Sequence, residues 1–383
     1  MSTHQHWRAK RVFRSETRSA ADILRPKRSL QRACASLAAM ALIQCLASAH
    51  AQSAEPSPSS PDSPSATDDS YRLGKGLHVP DSDLTLGGYA TASYQRRNNE
   101  TPQAGLDNLS LFVWWEGSSR WKFFSELDYE NVWRSRAPDD DDQHHYLALE
   151  RLYVDYAMAD SANVRIGKFL TPIGRWNLIH ATPLVWTTSR PLVTEHVFPT
   201  NVTGLMLSGA LPDAGDGLEY AVYAANGSEW RPSPEQDTFR RAVGAHFSFP
   251  LMSGGRFGLS YAAFEQDKTR GERKQLVGFD YVWTHNNYEL SAEGVYRFSD
   301  NGRDWDEKGA FAQLVVPLSG KLFAVARCEI YRQARTEGAS QLWVAGLNYH
   351  LKPALVVKAE WVGGRNNDTG APEGFMSSLS VLF

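Results

Sequence analysis

The sequence predicts an all-β protein, a transmembrane antiparallel β-barrel of about 16 strands that spans residues 84–383. Apolar and polar residues alternate in one segment after another from Leu84 onward, which is the period of a strand with different surroundings on its two faces. The polar faces carry charges, and short connections alternate with long polar ones. This combination is typical of a membrane barrel whose apolar face meets lipid and whose polar face lines a wet lumen.

The segment LTLGGYATASYQ (84–95) shows the alternation at its clearest. Its apolar face consists of Leu84, Leu86, Ala90, Ala92 and Tyr94. Its opposite face consists of Thr85, Tyr89, Thr91, Ser93 and Gln95. Such a segment forms a strand with one face in a less polar environment than the other.

Two later segments place charges opposite an apolar row. Arg327 and Glu329 lie on the face opposite Ile330, and Glu360 lies on the face opposite Trp361. A soluble β-sandwich would not repeatedly direct its charges away from a solvent-facing apolar row. The sorting of charge therefore favours a membrane barrel over a soluble all-β enzyme or lectin.

Sixteen segments of this kind follow one another, separated by turn residues such as Asn226-Gly227, Asn301-Gly302 and Gly363-Gly364. The predicted strands cover approximately 84–95, 108–116, 121–130, 147–157, 163–170, 203–211, 217–226, 239–249, 256–266, 274–285, 288–299, 307–316, 321–332, 340–351, 354–364 and 374–383. An even number of strands suits a closed antiparallel barrel.

Composition excludes other classes of protein. The chain has 383 residues with 12 Trp, 15 Tyr and 17 Phe, which is too aromatic for a disordered chain. Its mean hydropathy of −0.42 is too low for a bundle of apolar membrane helices. The formal charge of −3 averages a basic beginning and an acidic remainder.

The first 51 residues are predicted to be a signal peptide. They carry nine Lys or Arg and two acidic residues, followed by the apolar run ACASLAAMALIQCL (33–46) and Ala49-His50-Ala51. This order predicts cleavage after Ala51. The mature chain would keep Cys328 as its single cysteine, so no internal disulfide is expected. Residues 52–83, rich in Ser, Pro and Asp, are predicted to be a flexible periplasmic segment.

The last predicted strand ends on Phe383, with Val381 and Leu379 at alternating positions before it. This terminal pattern resembles the assembly signal of bacterial outer-membrane barrels. It implies a location in the bacterial outer membrane and an interaction with the barrel assembly machinery.

Four stretches resemble the phosphate-selective porin O and P family and together extend over most of 84–383. They are VRIGKFLTPIGRWN (164–177), TSRPLVTEHVFPTNVTGLMLSGAL (188–211), LEYAVYAANGS (218–228) and VAGLNYHLKPALVVKAEW (344–361). The resemblance implies a homotrimeric channel with 16 strands and a long loop folded into the lumen, here Thr171 to Val202. The solutes of such a channel would be small and hydrophilic and would include anions such as phosphate.

The implied loop and the strands that face it supply candidate residues for a pore constriction. The basic candidates are Arg151, Arg165, Lys168, Arg175, Arg190 and Arg327. The acidic candidates are Glu126, Asp128 and Glu130. Clustered guanidinium groups attract anions, whereas opposed charges across a constriction describe a transverse field, as in general porins. Each arginine could equally form a structural salt bridge. The sequence therefore predicts a channel and leaves its ion preference open.

Two further classes of protein are weighed against the channel, and one stretch is weighed as a cation site. A protease or lipase built on an outer-membrane barrel would be an enzyme, and a structural or adhesive barrel would have a plugged lumen without an inserted loop. Asp139–Asp142 with His144 and His145 could bind a cation, but an acidic external loop is the simpler interpretation. Contact of such a loop with lipopolysaccharide through divalent ions is a further hypothesis. No catalytic, cofactor-binding, metal-binding or nucleic-acid-binding motif is found, so we expect none of these partners or activities.

Overall fold

The protein is described by a computed structural model over residues 71–383, apart from 99, 136–144, 180, 213–216, 233–235, 252–253 and 368. The predicted signal peptide and residues 52–70 of the predicted periplasmic segment lie outside the described residues. So do Asp139–Asp142 and His144 of the acidic stretch that was considered as a cation site. Residues 71–78 form two short strands, β1 (Tyr71–Arg72) and β2 (Gly76–His78), and β2 pairs with the beginning of the next strand.

Sixteen further strands form one closed antiparallel barrel, as predicted. They are β3 (Leu84–Arg97), β4 (Gln103–Glu116), β5 (Trp121–Arg134), β6 (Tyr146–Ala159), β7 (Ala162–Leu170), β8 (Asn201–Leu211), β9 (Leu218–Asn226), β10 (Phe239–Pro250), β11 (Gly255–Gln266), β12 (Lys274–His285), β13 (Tyr288–Ser299), β14 (Glu307–Pro317), β15 (Leu322–Arg332), β16 (Ser340–Lys352), β17 (Leu355–Arg365) and β18 (Gly374–Leu382).

The barrel closes where β18 pairs with β3. Val381 lies opposite Ala90 in this seam, and Gly374 lies opposite Arg97. The main chain of Phe383 extends the seam, because its N–H donates to Gly88 O and its carbonyl accepts from Gly88 N, both at 2.8 Å. Closure leaves no strand edge without a partner, which a structure surrounded by lipid requires.

The sorting of side chains is the reverse of that in a soluble protein. Large apolar side chains point outward and are exposed, such as Leu111 at 51% and Trp361 at 54%. Buried inward positions carry charge, and Glu126, Asp128 and Lys358 are among them. An exposed apolar band around a polar interior is the arrangement expected of a barrel that crosses a bilayer. The alternation in the sequence thus correctly predicted which face of each strand points outward.

The two ends of the barrel differ in the length of their connections. At the end where β3 begins and β18 finishes, neighbouring strands are joined by two to six residues. At the other end the connections have five residues between β3 and β4, seven or more elsewhere, and thirty between β7 and β8. In outer-membrane barrels the short connections face the periplasm and the long ones face outward.

The thirty residues between β7 and β8 fold into the barrel, which confirms the predicted lumenal loop. We call residues 171–200 the inserted segment. The segment begins and ends as predicted to within two residues, since β8 starts at Asn201. It contains 3-10 turns at Trp176–Leu178 and Thr182–Leu184 and one short helix, α1 (Leu192–His196). Among the described residues, no helix is both long and apolar enough to cross a membrane.

Candidate functional site: the lumen and its inserted segment

Glutamates from the barrel wall hold the main chain of the inserted segment. Glu293 on β13 accepts hydrogen bonds from the N–H groups of Arg175 and Trp176. Glu360 on β17 accepts from the N–H groups of Thr188 and Ser189 at 2.9 and 2.7 Å. These amides have no partner within a helix or sheet, so the carboxyl oxygens satisfy them in a buried place.

Two cations on the wall hold the carbonyl and hydroxyl groups of the same segment. Arg327 on β15, with 1% of its surface exposed, donates to Thr187 Oγ1 at 2.6 Å and to Ser189 Oγ at 2.7 Å. Its Nε donates to Glu329 at 2.8 Å. Lys358 on β17 donates to the carbonyl oxygen of Thr182 at 2.6 Å. The segment is thereby fixed against the wall formed by β13 to β17.

Apolar side chains fasten the segment further. Ile173, Val197 and Phe198 are buried in a cluster that also includes Phe264 on β11 and Leu276 on β12. Burial of such side chains contributes about 1.5–3 kcal/mol each relative to exposure. One side of the lumen is consequently filled by the inserted segment, and open space remains toward β3, β4 and β5.

A cavity of about 250 Å³ lies between the segment and that opposite wall, and we call it the lumenal cavity. On the wall side it is lined by Tyr89, Thr91, Asp107, Asn108, Asp128, Glu130, Asn131 and Arg134. On the segment side it is lined by Trp176, Thr182, Val185, Thr188 and Arg190. Carboxylates of the wall therefore face a guanidinium of the segment across the open part of the lumen.

Arg190 stands at the boundary between this cavity and a second one. The second cavity, of about 220 Å³, is also lined by Thr188 and Arg190, together with Arg97 and Glu195. The guanidinium of Arg190 lies 5.2 Å from the ring centroid of Trp176, within the range of a cation–π contact. Arg190 thus occupies the place where the two lumenal spaces meet.

The residues proposed from the sequence fall into separate groups. Arg190, Asp128 and Glu130 come together around the lumenal cavity, whereas the exposed Arg175 lies on the segment outside its lining. Arg327 holds the segment in place. Arg327 therefore has the structural role that the sequence left open for each arginine.

Lys168 is separated from this group. It is buried beneath the connection between β9 and β10, where its Nζ lies 3.0 Å from Glu229. Burial raises the pKa of the Glu229 carboxyl to about 6, although the charge of Lys168 lowers it. This buried ion pair fastens an outer connection to the barrel and takes no part in the lining of the lumenal cavity.

Arg151 and Arg165 point into the lumen from β6 and β7 and pair with carboxylates of the wall. Arg151 forms an ion pair with Glu126, and Arg165 donates to both oxygens of Asp155 at 2.7 and 2.8 Å. Each guanidinium also stacks on an aromatic ring. They belong to a surface distinct from the lumenal cavity.

Asp107 and Arg134 line the lumenal cavity but are not among the sequence-predicted candidates. Asp107 is the extra residue of a β-bulge, because Thr91 pairs with Asn108 while Ala92 pairs with Leu106. A bulge interrupts the two-residue period on which the strand prediction depends. The adjacent polar pair Asp107-Asn108, which breaks the alternation between Leu106 and Leu109, is the signal that could have indicated a bulge with inward polar groups.

Comparison with known proteins supports the fold and little beyond it. No family model matches the sequence. An uncharacterized protein of Aquifex aeolicus is 26% identical over 195 residues, which is 49% of this chain and 41% of that protein. The chain thus spans about two fifths of the length of that relative.

Solved structures of outer-membrane proteins superpose on most of the chain. The OmpF of Salmonella typhi, solved with daunomycin, has a TM-score of 0.59 at 11% identity and covers 79% of this chain and 97% of its own. An anion-selective porin of Comamonas acidovorans has a TM-score of 0.52 at 14% identity, covering 79% and 98%. OmpT, an outer membrane protein of Vibrio cholerae, has a TM-score of 0.54 at 8% identity, covering 80% and 99%.

The fold and the lumen define a sixteen-stranded barrel of the porin type. At 8–14% identity these likenesses establish the fold alone. Membership of the phosphate-selective porin O and P family, which four sequence stretches predict, stays a prediction.

Proposed function

We propose that the protein is a passive diffusion channel for small hydrophilic solutes in the bacterial outer membrane. The lumenal cavity carries this proposal, because it is a polar space between the inserted segment and the opposite wall of a barrel with an apolar exterior. Selectivity in such a channel arises from its width and from the charges that line it.

Charges of both signs form the proposed constriction. Asp107, Asp128 and Glu130 lie on the wall, Arg190 faces them from the segment, and Arg134 lies near the rim of β5. A phosphate filter would need an excess of cationic donors around the passage, whereas carboxylates outnumber guanidinium groups in this lining. The arrangement favours a transverse field and a weak ion preference over selection of phosphate.

Conductance in planar lipid bilayers tests the proposal. We expect stable ohmic steps from the folded protein, and a salt gradient then gives the ion preference from the reversal potential. A folded barrel without conductance would contradict the channel. Hydrolysis of a peptide or ester by such a preparation would favour a barrel enzyme, and adhesion without conductance would favour a structural barrel. A strong anion preference that phosphate blocks would favour the phosphate-selective alternative.

Arg190→Gln is expected to shift the reversal potential toward cation preference. Loss of this guanidinium leaves Asp128 and Glu130 facing a neutral amide, and low-dielectric walls strengthen the effect of the missing charge. Arg175→Gln is the matched control, since Arg175 lies on the same segment outside the cavity lining. Equal shifts in the two variants would refute the assignment of the constriction.

The proposal includes export and assembly as a homotrimer. Cleavage after Ala51 would deliver the chain to the periplasm, and the apolar exterior of the barrel suits insertion into the outer membrane. The solved Vibrio cholerae OmpT has been described in a trimer form and shares this fold. Cross-linking in native membranes and N-terminal sequencing of the mature protein test these two points.

We further propose that the rim with long connections contacts lipopolysaccharide. An outward-facing pocket of about 590 Å³ lies there, between β13, β14 and β15. It combines the cations Arg303, Lys308 and Arg332 with the rings of Tyr296 and Phe298. The carboxylate of Asp306, which also lines it, accepts from Tyr296 Oη and Ser299 N. Phosphate groups of a glycolipid would meet these cations at the edge of the apolar band.

The double variant Lys308→Gln/Arg332→Gln is expected to weaken binding of lipopolysaccharide to the detergent-solubilised protein by about 2 kcal/mol, at about 1 kcal/mol per cation. The increase in melting temperature on addition of lipopolysaccharide measures this loss. Lys352→Gln, at the end with short connections, is the matched control. An unchanged melting shift in the double variant would contradict the rim site.

A further inference from the structure

Three aromatic side chains form a continuous surface on the lumenal wall beside the lumenal cavity. Strand register places Phe112 on β4 opposite Glu126 and Phe124 on β5 opposite Tyr153 on β6. Leu111 and Val154, which are adjacent to Phe112 and Tyr153, are exposed on the outer face, as is Leu127, three residues after Phe124. An odd separation along a strand places side chains on opposite faces, so the three rings point inward. All three rings are half-buried and retain surface toward the lumen.

The rings follow one another across neighbouring strands. Ring centroids are 5.7 Å apart between Phe112 and Phe124, and 5.5 Å apart between Phe124 and Tyr153. Two arginines lie over these rings: Arg151 is 4.5 Å from the centroid of Phe124, and Arg165 is 3.7 Å from that of Tyr153. We call these five residues the aromatic track.

The cations of the aromatic track are neutralised in place by carboxylates. Arg151 is paired with Glu126, and Arg165 is paired with Asp155 through both carboxylate oxygens. A guanidinium has five N–H donors, so each arginine keeps donors beyond those used in its ion pair. The surface thus offers the ring surface that the two guanidinium groups leave uncovered, together with fixed hydrogen-bond donors and acceptors and no net charge.

The aromatic track continues directly from the proposed constriction. Tyr89, which lines the lumenal cavity, has its ring centroid 5.6 Å from that of Phe112. From there the track descends toward the end with short connections, since Arg165 and Asp155 lie nearer that end than Asp128 does. A solute that passes Arg190 would therefore reach the rings next.

Half-exposed rings in a wet lumen leave apolar surface in contact with water, and a suitable solute would remove that contact. A neutral carbohydrate fits this surface, because its C–H faces pack on aromatic rings while its hydroxyl groups both donate and accept hydrogen bonds. An anionic solute fits less well, since it would meet Glu126 and Asp155 beside each arginine. A purely apolar solute would leave the polar groups without partners.

We propose that the aromatic track binds neutral carbohydrates on their way through the channel, an inference that rests on the proposed diffusion function. The track is a transient binding surface within the lumen. It would bias the channel toward sugars without any change at the constriction.

A linear glucose trisaccharide is the probe, and two measurements are made with it. In planar bilayers, the trisaccharide is expected to interrupt the salt current in a concentration-dependent manner. In detergent solution, calorimetry is expected to detect its binding to the same protein. Because calorimetry needs no conductance, it tests the track even if the channel proposal fails.

Variants locate the site. Phe124→Leu and Tyr153→Leu are each expected to weaken trisaccharide binding roughly three- to tenfold, the range of an aromatic contact. Phe124→Tyr keeps the ring and should bind nearly as the parent protein does. Phe279→Leu, an outward-facing ring on β12, is the matched control and should change nothing.

The outcomes separate the two proposals. Salt currents without block or binding by the trisaccharide would overturn the carbohydrate track and leave the channel intact. Binding that is equal in Phe124→Leu, Tyr153→Leu and the parent would place the sugar elsewhere and also overturn it. Tighter binding of benzoate than of the trisaccharide would assign the track to aromatic anions instead. Trisaccharide binding without any conductance would refute the channel and retain the site.

Discussion

Arg327→Met is expected to destabilise the protein by about 3–5 kcal/mol, the cost of removing one partner from a buried ion pair. Arg327 is almost completely buried and joins Glu329 to two residues of the inserted segment. Without it, the carboxylate of Glu329 stays buried with one neighbouring cation fewer, and Thr187 and Ser189 lose their donors. Urea unfolding in detergent micelles, followed by tryptophan fluorescence, measures the change.

The same variant is expected to raise single-channel conductance. The inserted segment would lose its link to β15, and its Thr187–Arg190 portion would be free to move away from the lumenal cavity. The carboxylate of Glu360 would still hold Thr188 and Ser189, so we expect a larger and noisier current and not a fully open barrel.

Arg240→Met is the matched control, because Arg240 forms a partly exposed ion pair with Glu265 away from the segment. Ion pairs near the surface contribute little to stability because water and salt screen them, so both stability and conductance should change little. The double variant Arg327→Met/Glu329→Gln should recover part of the stability, since it removes the buried charge as well. Full stability and unchanged current in Arg327→Met would contradict the anchoring role.

The barrel was predictable because alternation is a local property. Residues two apart on a strand share a face, so polar residues such as Arg327 and Glu329 on β15 identify the inward face from the sequence of that strand alone. The neighbouring strands do not have to be known. Prediction was poorest at the beginning of β4, which starts at Gln103 and not near 108. The bulge at Asp107 shifts the alternation there, and a shifted period conceals the strand.

The composition of the candidate site was less predictable than the barrel. Alternation indicated that Asp128 and Arg327 point inward, but it did not indicate which residues each side chain would contact. The inserted segment has no repeating pattern, and the wall against which it lies depends on contacts with Glu293 and Glu360, more than a hundred residues away in sequence. Whether an arginine lines the passage or anchors the segment is therefore decided by tertiary structure.

Deletion of Phe383 is expected to destabilise the barrel by about 2–6 kcal/mol. The N–H and C=O groups of Gly88 both pair with Phe383, and each would be left without its partner at a cost of about 1–3 kcal/mol. The seam between β3 and β18 would be opened at its end, where no other strand can replace the lost pair. Heat modifiability on gels, together with urea unfolding of refolded protein, measures the loss.

Gly88→Ala tests the same seam without shortening the chain. A Cβ atom at position 88 would lie 2.1 Å from Ser110 O and 2.9 Å from the ring of Phe383, so β3 or the ring must shift. Overpacking of this kind costs about 1–3 kcal/mol. Ala92→Val, which adds volume at an exposed outward position on the same strand, should have a smaller effect. Equal stability of Gly88→Ala and the parent would contradict the close packing of the seam.

Phe383→Leu distinguishes the hydrogen bonds of the seam from the proposed assembly signal formed by Phe383, Val381 and Leu379. Leucine keeps both main-chain bonds to Gly88 and removes only the aromatic ring, so refolded protein should be nearly as stable as the parent. If the barrel assembly machinery recognises the ring, accumulation in the outer membrane should nevertheless fall as it does for the deletion. Normal accumulation of Phe383→Leu with reduced accumulation of the deletion would assign Phe383 to barrel closure alone, because the main-chain pairing would then account for the whole effect.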